Sequence, residues 1–470
     1  MVKFNLLKGI VKKTMLMKNS SIKSIGKYQI RSRLGQGSMG QVYKVIIPGE
    51  NRFAALKLLK PNPDLIKKMG MKWIYEMFIH EFSVIEKLQH PNIIRVSDLE
   101  EKDDQIYYLM EYFNRNLGSI MGESYWADKK SRILRIRKSV DYALGTLKGL
   151  SRLHEEGIVH QDIKPFNLML TEKDKIIITD FGLSKRRGEN LSTPTNMLIG
   201  TPFYSAPEQI ESLENADYRV DLYSVGVMLY RMLTGVLPKK PFELPGTLNP
   251  ELDKGWDELI LKSIHHDPNK RFQNAKSMID EIESHYLYFE NQKEKVCNEP
   301  DFFLSPEVKK SRQEPVTLRS KPERVLGRNA SSVFSLDEFH RPLHYLENNM
   351  ESANLVVTDR TTNLVWQQSG SETLLQWETA KQYITKLNQQ KFGGYDRWRL
   401  PTINEILSLL NPPPPGEDFC FQSQISSVQK WIWSGDTRSK RAAWFVDVEM
   451  GFVSSRDLLD SYYVKGVCSI

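Results

Sequence analysis

Short alternating or apolar runs, separated by turn residues, mark the first region of the chain with a clear hydrophobic pattern. Runs of roughly four to eight residues bounded by glycine or by a Pro-Gly pair are typical of hairpin strands. The runs are Ile30–Leu34, Gln41–Ile47 and Phe53–Leu59. They predict three strands of one antiparallel sheet.

A helical period replaces this pattern further along the chain. Phe78, Phe82, Ile85 and Leu88 predict an amphipathic helix that ends before the His90-Pro91 pair. Beyond Arg132 the periodic segments are mostly helical, and they include Val140–His154, Asp221–Leu233 and Trp256–Ile264. We therefore expect an α+β unit over residues 28–287, with a strand-rich lobe followed by a helix-rich lobe.

The periodicity is lost over residues 288–350. Charged residues are mixed there with four Xaa-Pro pairs, which are Glu299-Pro300, Ser305-Pro306, Glu314-Pro315 and Lys321-Pro322. This composition is typical of a linker with little structure of its own. A largely irregular linker is therefore expected over this range.

A second, smaller α+β unit is expected over residues 351–470, where six of the nine tryptophans lie. The predicted strands are Leu355–Asp359, Asn363–Gln367, Ala443–Val448 and Tyr463–Cys468. The predicted helices are Trp377–Leu387 and Ile403–Leu409, the second with Thr402 as its N-cap. The tryptophans are expected to form an aromatic core, and a surface that stacks on a ligand is the alternative.

Net charge is concentrated at the N-terminus. Residues 1–27 hold seven lysines and no Asp, Glu or Arg, whereas the rest of the chain carries 58 basic and 58 acidic residues. A neutral body argues against binding to nucleic acid. A frayed basic tail is the favoured interpretation of residues 1–27; the alternative is a membrane-surface helix presenting Phe4, Leu7, Val11 and Met15.

Composition also bears on the compartment. No stretch approaches 18 uninterrupted apolar residues, and the start of the chain lacks the pattern of a secretory signal. Three distant cysteines, Cys297, Cys420 and Cys468, do not make a disulfide framework. We expect a cytoplasmic protein with reduced thiols.

Two predicted strands flank a glycine-rich segment, Gly35-Gln36-Gly37-Ser38-Met39-Gly40. Glycines let a backbone fold tightly over phosphates and present N–H groups to them, although many such hairpin turns bind nothing. Lys57, near the end of the next strand, is placed to hold phosphate oxygens. Glu81 shares the inward face of the predicted helix and is the expected partner of Lys57, because a charge on a buried face requires one.

The most informative stretch is His160-Gln161-Asp162-Ile163-Lys164-Pro165-Phe166-Asn167. It precedes a predicted hairpin, Leu168–Leu170 with Ile176–Thr179, which ends in Asp180-Phe181-Gly182. Asp162, Lys164 and Asn167 supply a base, a cation and a metal ligand in one loop. Asp180 adds a second oxygen ligand of the kind that Mg²⁺ prefers.

These motifs resemble the eukaryotic-type protein kinase family across residues 28–287. The resemblance implies a bilobal kinase fold that uses ATP with Mg²⁺ or Mn²⁺. It implies that Asp162 accepts the proton of the substrate hydroxyl, that Lys164 stabilises the transferring phosphoryl group, and that Asn167 and Asp180 bind the metal. The implied nucleotide-binding residues are Leu34, Gly35, Gly37, Gly40, Val42, Ala55, Lys57, Glu81, Met110, Glu111, Phe113 and Asp180.

Later motifs extend the resemblance. Gly200–Glu208, with the sequence GTPFYSAPE, is similar to the end of a kinase activation segment, and it implies a buried pair between Glu208 and Arg271. Asp221 also matches a structural position of the family. Lys164 and Thr201 resemble the serine/threonine branch of the family, whose substrates are protein hydroxyls.

One position departs from the family members that are regulated by activation-loop phosphorylation, which carry Arg before the catalytic Asp. Gln161 stands there, and an amide cannot form the charge-assisted clamp that guanidinium forms with phosphate. Phosphorylation of Ser192, Thr193 or Thr195 is therefore expected not to be obligatory, although Lys185, Arg186 and Arg187 could partly replace the arginine. A pseudokinase acting as a binding module and a small-molecule kinase are the alternatives for this unit.

Residues 351–470 resemble the bacterial Lcl C-terminal family, which implies a C-type-lectin-like fold. The matching segments are LVW at 364–366, GGYDRWRLPT at 393–402, IWSGD at 432–436 and AWFVDVEMGFV at 443–453. The EPN, QPD and WND triplets of sugar-binding lectins are absent, so no calcium or sugar site is implied. We expect a sensor or substrate-docking domain of unknown ligand, with Ser305, Ser331, Ser332 and Ser335 of the linker as autophosphorylation sites.

Overall fold

Two compact units make up the chain, residues 1–299 and residues 300–470. The computed structural model describes residues 24–37, 39–50, 52–102, 104–123, 129–181, 185–186, 203–211, 216–239, 241–297, 316–412, 424–425 and 429–470. Most of the predicted basic tail lies outside the described residues, and so do Ser192, Thr193, Thr195, Ser305 and Cys420.

A six-stranded antiparallel sheet begins the first unit. Its strands are β1 (Ser24–Ile25), β2 (Tyr28–Gln36), β3 (Gly40–Ile46), β4 (Phe53–Leu59), β5 (Val96–Lys102) and β6 (Gln105–Glu111), in the order β1-β2-β3-β4-β6-β5. The three strands predicted from alternation are confirmed as β2, β3 and β4. Tyr28, Val45 and Leu56 lie in the core on one face of the sheet.

Helices α1 (Pro63–Met69) and α2 (Met71–Lys87) contribute to the other core of this sheet. Phe78 and Phe82 of α2 pack there with Leu59 and Tyr108, as the helical period predicts. The helix ends at Lys87, before Pro91. Its buried face also carries Glu81, which is only 2% exposed.

The second half of this unit is mainly helical. Its helices are α3 (Leu117–Met121), α4 (Ile136–Glu155), α5 (Pro207–Glu211), α6 (Arg219–Thr234), α7 (Pro245–Leu248), α8 (Lys254–Ser263) and α9 (Ala275–Cys297). Short strands β7 (Arg115–Asn116), β8 (Ile158–Val159), β9 (Leu168–Leu170), β10 (Ile176–Ile178) and β11 (Lys185–Arg186) form two small sheets, β10-β9-β7 and β11-β8. No helix within the described ranges is long and apolar enough to span a membrane.

The second unit combines three small antiparallel sheets with short helices. Its strands are β12 (Met350–Ala353), β13 (Val356–Asp359), β14 (Leu364–Gln367), β15 (Leu375–Gln376), β16 (Trp431–Ser439), β17 (Ala442–Asp447), β18 (Phe452–Asp457), β19 (Ser461–Tyr462) and β20 (Val467–Ser469). The sheets are β12-β13-β14-β20, β16-β17-β18 and β15-β19. The helices are α10 (Ala330–Phe334), α11 (Trp377–Gln389) and α12 (Ile403–Leu407).

Local signals predicted α12 correctly. Thr402 caps it through a capping box, in which its hydroxyl accepts from the Glu405 N–H at 3.3 Å and the Glu405 carboxylate accepts from the Thr402 N–H at 2.8 Å. The predicted strand Tyr463–Cys468 is wrong in extent, because regular pairing begins only at Val467. Gly466 lies against Trp398, where an added Cβ would be 2.9 Å from the indole.

All six tryptophans of this unit are buried, which favours the aromatic core over a stacking surface. Their exposed fractions are at most 8%, for Trp366, Trp377, Trp398, Trp431, Trp433 and Trp444. Lys465 is also buried, and its ammonium donates to the Gln367 and Gln368 carbonyls at 3.2 and 2.7 Å. Burial lowers the pKa of Lys465 to about 7.

The predicted linker over residues 288–350 is wrong at both ends. Helix α9 extends to Cys297, and residues 316–349 belong to the fold of the second unit. Val325, Phe334 and Leu336 are each at most 5% exposed and lie in a core of that unit. These apolar residues are spaced irregularly and follow neither a strand nor a helix period, so the sequence pattern did not reveal them. We call residues 316–349 the strap.

A buried ion pair holds the strap against β16 and α12. The Arg319 guanidinium donates to both carboxylate oxygens of Asp436, at 2.8 and 2.7 Å, and Asp436 is fully buried. The same carboxylate accepts from the Glu323 and Ile403 N–H groups. The buried Asp436 charge thus has both a cation and hydrogen-bond donors, and these contacts join the strap to the rest of the unit.

The strap also changes the prediction for autophosphorylation. Ser331 and Ser332 are exposed but lie within α10, and Ser335 ends that helix in a left-handed conformation with φ 56°. The prediction assumed a flexible linker around these serines. That premise is wrong for the three of them.

Candidate active site

Lys57 and Glu81 form a buried ion pair between β4 and α2. The ammonium lies 2.6 and 2.8 Å from the two carboxylate oxygens, and the residues are 8% and 2% exposed. Burial acts to lower the pKa of Lys57, but the Glu81 carboxylate, together with Tyr108 and Asp180, raises it well above its usual value. The Lys57 side chain therefore stays protonated and positively charged at neutral pH.

Three predicted residues converge in the loop after β8. The Asp162 carboxylate accepts from the Lys164 ammonium at 2.8 Å and from the Asn167 side-chain amide at 2.9 Å. The same amide nitrogen donates to the Asp162 carbonyl at 2.8 Å. Because the Asn167 nitrogen is used in this way, its side-chain oxygen is the atom left to face a cation.

The Asp221 side chain of α6 binds the backbone of this loop. Its fully buried carboxylate accepts from the His160 and Gln161 N–H groups at 2.9 and 2.8 Å. The His154 ring also contacts it at 2.9 Å. Gln161 has φ 66°, an uncommon conformation for a residue with a Cβ, so the turn into Asp162 depends on these bonds.

Asp180 lies beside both groups of residues. Its carboxylate is 3.6 Å from the Lys57 ammonium, and its side chain is about half exposed. The preceding residue, Thr179, donates its N–H to the Asn167 carbonyl at 3.0 Å, and its carbonyl contacts the His160 ring at 3.2 Å. The following residue, Phe181, packs its ring against His160 at 5.0 Å. These contacts link Asp180 to the loop of Asp162.

The predicted nucleotide-contacting residues lie on β2, β3, β4 and the end of β6. Val42 pairs with both Gly35 and Lys57, and Ala55 pairs with Met110. Leu34 is 46% exposed, and an added Cβ on Gly35 would meet open space. Gly37 and Gly40 form the turn between β2 and β3, and Gly40 has no room for a Cβ, which would lie 2.4 Å from the Leu58 carbonyl.

The segment after β6 begins where the sequence predicted it. Glu111 ends the strand, and its N–H donates to the Arg95 carbonyl at 3.2 Å. Met110 and Phe113 are partly buried, whereas Glu111 is exposed. The structure therefore brings these residues to one edge of β4, next to Ala55.

The donor set fits magnesium with a nucleotide phosphate. Asn167 and Asp180 offer an amide oxygen and a carboxylate, and Lys57 offers a fixed cation within reach of Asp180. Among the described residues, no group of three or more His, Cys, Asp or Glu side chains could hold a metal without further ligands. Phosphate oxygens and water would complete such a site.

Residues 203–211 contribute further contacts. The predicted Glu208–Arg271 pair is present, with two N–O distances of 2.7 and 2.8 Å. Gly200, Thr201 and Pro202 lie outside the described residues, as does Gly182.

Sequence reasoning missed two features here. The Tyr204 hydroxyl donates to Glu123, which also pairs with Arg231 at 3.2 Å, and burial raises the pKa of Tyr204. The Gln209 amide donates to the Gln161 carbonyl at 2.7 Å. These partners are distant in the sequence, and no local pattern joins them.

Comparisons with known proteins match two families to this chain. The protein kinase domain family matches residues 28–287, and the Lcl C-terminal domain family matches residues 355–468. A probable serine/threonine-protein kinase of Clostridium perfringens is 31% identical over 276 residues, which cover 55% of this chain and 38% of that protein. Serine/threonine-protein kinase PksC of Streptomyces coelicolor is 33% identical over 277 residues, covering 54% and 48%.

Serine/threonine-protein kinase PrkC of Bacillus subtilis is 26% identical over 331 residues, covering 67% of this chain and 48% of that protein. The chain thus spans less than half the length of each of these three relatives. A crystal structure of the Mycobacterium tuberculosis PknI kinase domain, in a mutant form, aligns with a TM-score of 0.43 at 25% identity, covering 57% of this chain and all of that one.

The kinase match covers more than half of the 470 residues, and it includes every residue of the site described above. The chain therefore belongs to the protein kinase family and carries an Lcl C-terminal domain.

Proposed function

We propose that the protein is a serine/threonine protein kinase that transfers the γ-phosphoryl group of ATP to hydroxyls of protein substrates. The observation that carries the proposal is that two contacting pairs, Lys57 with Asp180 and Asp162 with Asn167, are linked to each other through the contacts of Thr179 and Phe181. The serine/threonine kinase names of the relatives support it.

Each side chain has a distinct part in this proposal. Lys57, oriented by Glu81, binds phosphate oxygens of the nucleotide. Asn167 and Asp180 would hold Mg²⁺ or Mn²⁺, which supplies positive charge against the phosphates. Asp162 orients the acceptor hydroxyl and accepts its proton, and Lys164 compensates negative charge on the transferring group.

The nucleotide base is proposed to lie between β3–β4 and the segment after β6. Leu34, Val42 and Ala55 offer apolar contact on one side, and the backbone around Met110, Glu111 and Phe113 offers hydrogen bonds at the edge. Gly35, Gly37 and Gly40 let the turn between β2 and β3 approach the phosphates.

The test is transfer of label from γ-labelled ATP by the full-length protein to a generic protein substrate. We expect label on serine or threonine, with turnover in the ~1–100 s⁻¹ range typical of kinases. A protein that binds ATP yet transfers no label would be a pseudokinase, and this outcome would overturn the proposal.

We also propose that activity does not require phosphorylation of the activation segment. Gln161 is uncharged and 6% exposed, so it cannot clamp a phosphate as an arginine would. Replacing Ser192, Thr193 and Thr195 together with alanine is expected to leave the initial rate within about twofold of the wild type, because no charge-assisted pair at Gln161 is lost. A collapse of the rate in this triple variant, with an unchanged thermal midpoint, would contradict the proposal.

The domain arrangement is proposed as a kinase domain over residues 28–287 and a sensor or docking domain of C-type-lectin-like fold near the C-terminus. The strap supports a start for the second domain near residue 316 rather than 351. A cytoplasmic location and protein partners are part of the same proposal. Activity of a chain that ends at residue 299, compared with the full chain, tests whether residues 300–470 recruit substrates or inhibit the kinase.

A further inference from the structure

Gln209 joins two parts of the kinase domain that are far apart in the sequence. Its side chain, 5% exposed, lies in α5. The amide nitrogen donates to the Gln161 carbonyl at 2.7 Å, and the amide oxygen accepts from the Ala206 N–H at 3.3 Å. We call this pair of hydrogen bonds the Gln209 bridge.

The bridge acts on a strained residue. Gln161 has φ 66°, and such a conformation persists only where the surroundings hold it. Its N–H is held by the Asp221 carboxylate at 2.8 Å, so the Gln209 bridge holds the opposite, carbonyl side of the same residue. The Gln161 carbonyl belongs to the peptide that leads directly into Asp162, and fixing that peptide fixes the direction in which the Asp162 side chain leaves the backbone.

The bridge is made of neutral groups. The side-chain nitrogen of Gln161 is buried and has no hydrogen-bond partner among the described residues, so no described residue holds the loop through this nitrogen. Ala206, at the other end of the bridge, lies two residues after Tyr204. The Tyr204 hydroxyl donates to the Glu123 carboxylate, and the Tyr204 carbonyl accepts from the Ser224 hydroxyl. Residues 203–211 are thus anchored to the helical lobe and to the loop of Asp162 at once.

We propose that Gln209 is a positioning residue that couples residues 203–211 to the catalytic loop through the Gln161 carbonyl, so that Asp162 is oriented without a phosphate ligand. This inference rests on the proposed kinase function. In kinases with an arginine before the catalytic aspartate, that arginine binds a phosphate on the activation segment and so orients the loop. Here the Gln209 bridge would orient the loop instead.

Two substitutions isolate the bridge. Gln209→Glu keeps the shape and the acceptor for the Ala206 N–H but, when ionised, has no proton to donate to the Gln161 carbonyl. Gln209→Met keeps a similar length and removes both bonds. Gln292→Ala, at an exposed position of α9, serves as the control for an unrelated glutamine change.

The first measurement is hydrogen exchange of a peptide covering residues 158–164 in the full-length protein. We expect exchange at least about tenfold faster in both Gln209 variants and unchanged exchange in Gln292→Ala, with peptides from the β2–β4 sheet unaffected in all three. Unchanged exchange of residues 158–164 in the Gln209 variants would overturn the inference, whether or not the protein transfers phosphate.

The second measurement is steady-state kinetics. We expect kcat to fall about 10- to 100-fold in both variants while KM for ATP stays within about twofold, because Asp162 is misplaced and the nucleotide contacts remain. The same loss is expected before and after phosphatase treatment. A parallel loss of ATP binding and of thermal midpoint would show a merely structural role and would overturn the inference. An inactive wild type would instead refute the proposed function, and the exchange result would still decide the bridge.

Discussion

We expect Asp162→Asn to lower kcat for phosphoryl transfer by about 10²–10⁴-fold and to leave the fold and ATP binding intact. The Asp162 carboxylate accepts from Lys164 and Asn167, and in the proposed mechanism it accepts the proton of the substrate hydroxyl. Asparagine is almost isosteric and keeps a hydrogen-bond acceptor, but it cannot take a proton. The predicted size of the loss is that expected for removal of a general base.

The measurement is the initial rate of label transfer from γ-labelled ATP at saturating nucleotide, with the thermal midpoint recorded alongside. Asp280→Asn is the matched control, since Asp280 is exposed on α9 and far in sequence from the site. The control is expected to retain the wild-type rate. Equal rates for Asp162→Asn and the wild type would remove Asp162 from the mechanism.

Arg319→Met destabilises the C-terminal unit by about 3–5 kcal/mol, the second large effect that we expect. The change leaves the fully buried Asp436 carboxylate with its two backbone donors but without its cation, and an uncompensated buried charge is strongly unfavourable. Urea unfolding followed by tryptophan fluorescence measures the loss, because six of the nine tryptophans belong to this unit.

Arg360→Met is the control for this prediction. Arg360 pairs with Glu351 at 2.8 Å, but both side chains are 56% exposed, so the pair is screened by water. Its loss is expected to leave the urea midpoint of this unit essentially unchanged. If the two variants unfold at the same urea concentration, the strap is not an integral part of this unit.

Local signals predicted much of the kinase domain. Strands β2, β3 and β4 follow from alternation and glycine turns, and α2 follows from its period and from the proline that comes after it. Each of these elements buries one face in the core, so its apolar residues recur with the period of a strand or a helix. The hydrophobic pattern therefore predicts the element correctly. The contact between Lys57 and Glu81 was also predictable, because a buried charge needs a partner.

The strap and the Gln209 bridge were not predictable in this way. Arg319 stands in a charged, proline-containing segment, and its partner Asp436 lies more than a hundred residues later in the chain. Gln209 is an ordinary polar residue until the fold brings the Gln161 carbonyl to it. Pairings of this kind depend on tertiary structure, and a single sequence carries no periodic signal for them.

The central claim is that Lys57, Asn167 and Asp180 hold a metal-bound nucleotide beside Asp162. The most direct measurement is ATP affinity by calorimetry, with and without Mg²⁺, for the wild type and for Asp180→Asn. We predict that Mg²⁺ raises the affinity of the wild type at least about tenfold and has little effect on the variant, which still binds ATP through Lys57. An Mg²⁺ dependence that is undiminished in Asp180→Asn would contradict the claim.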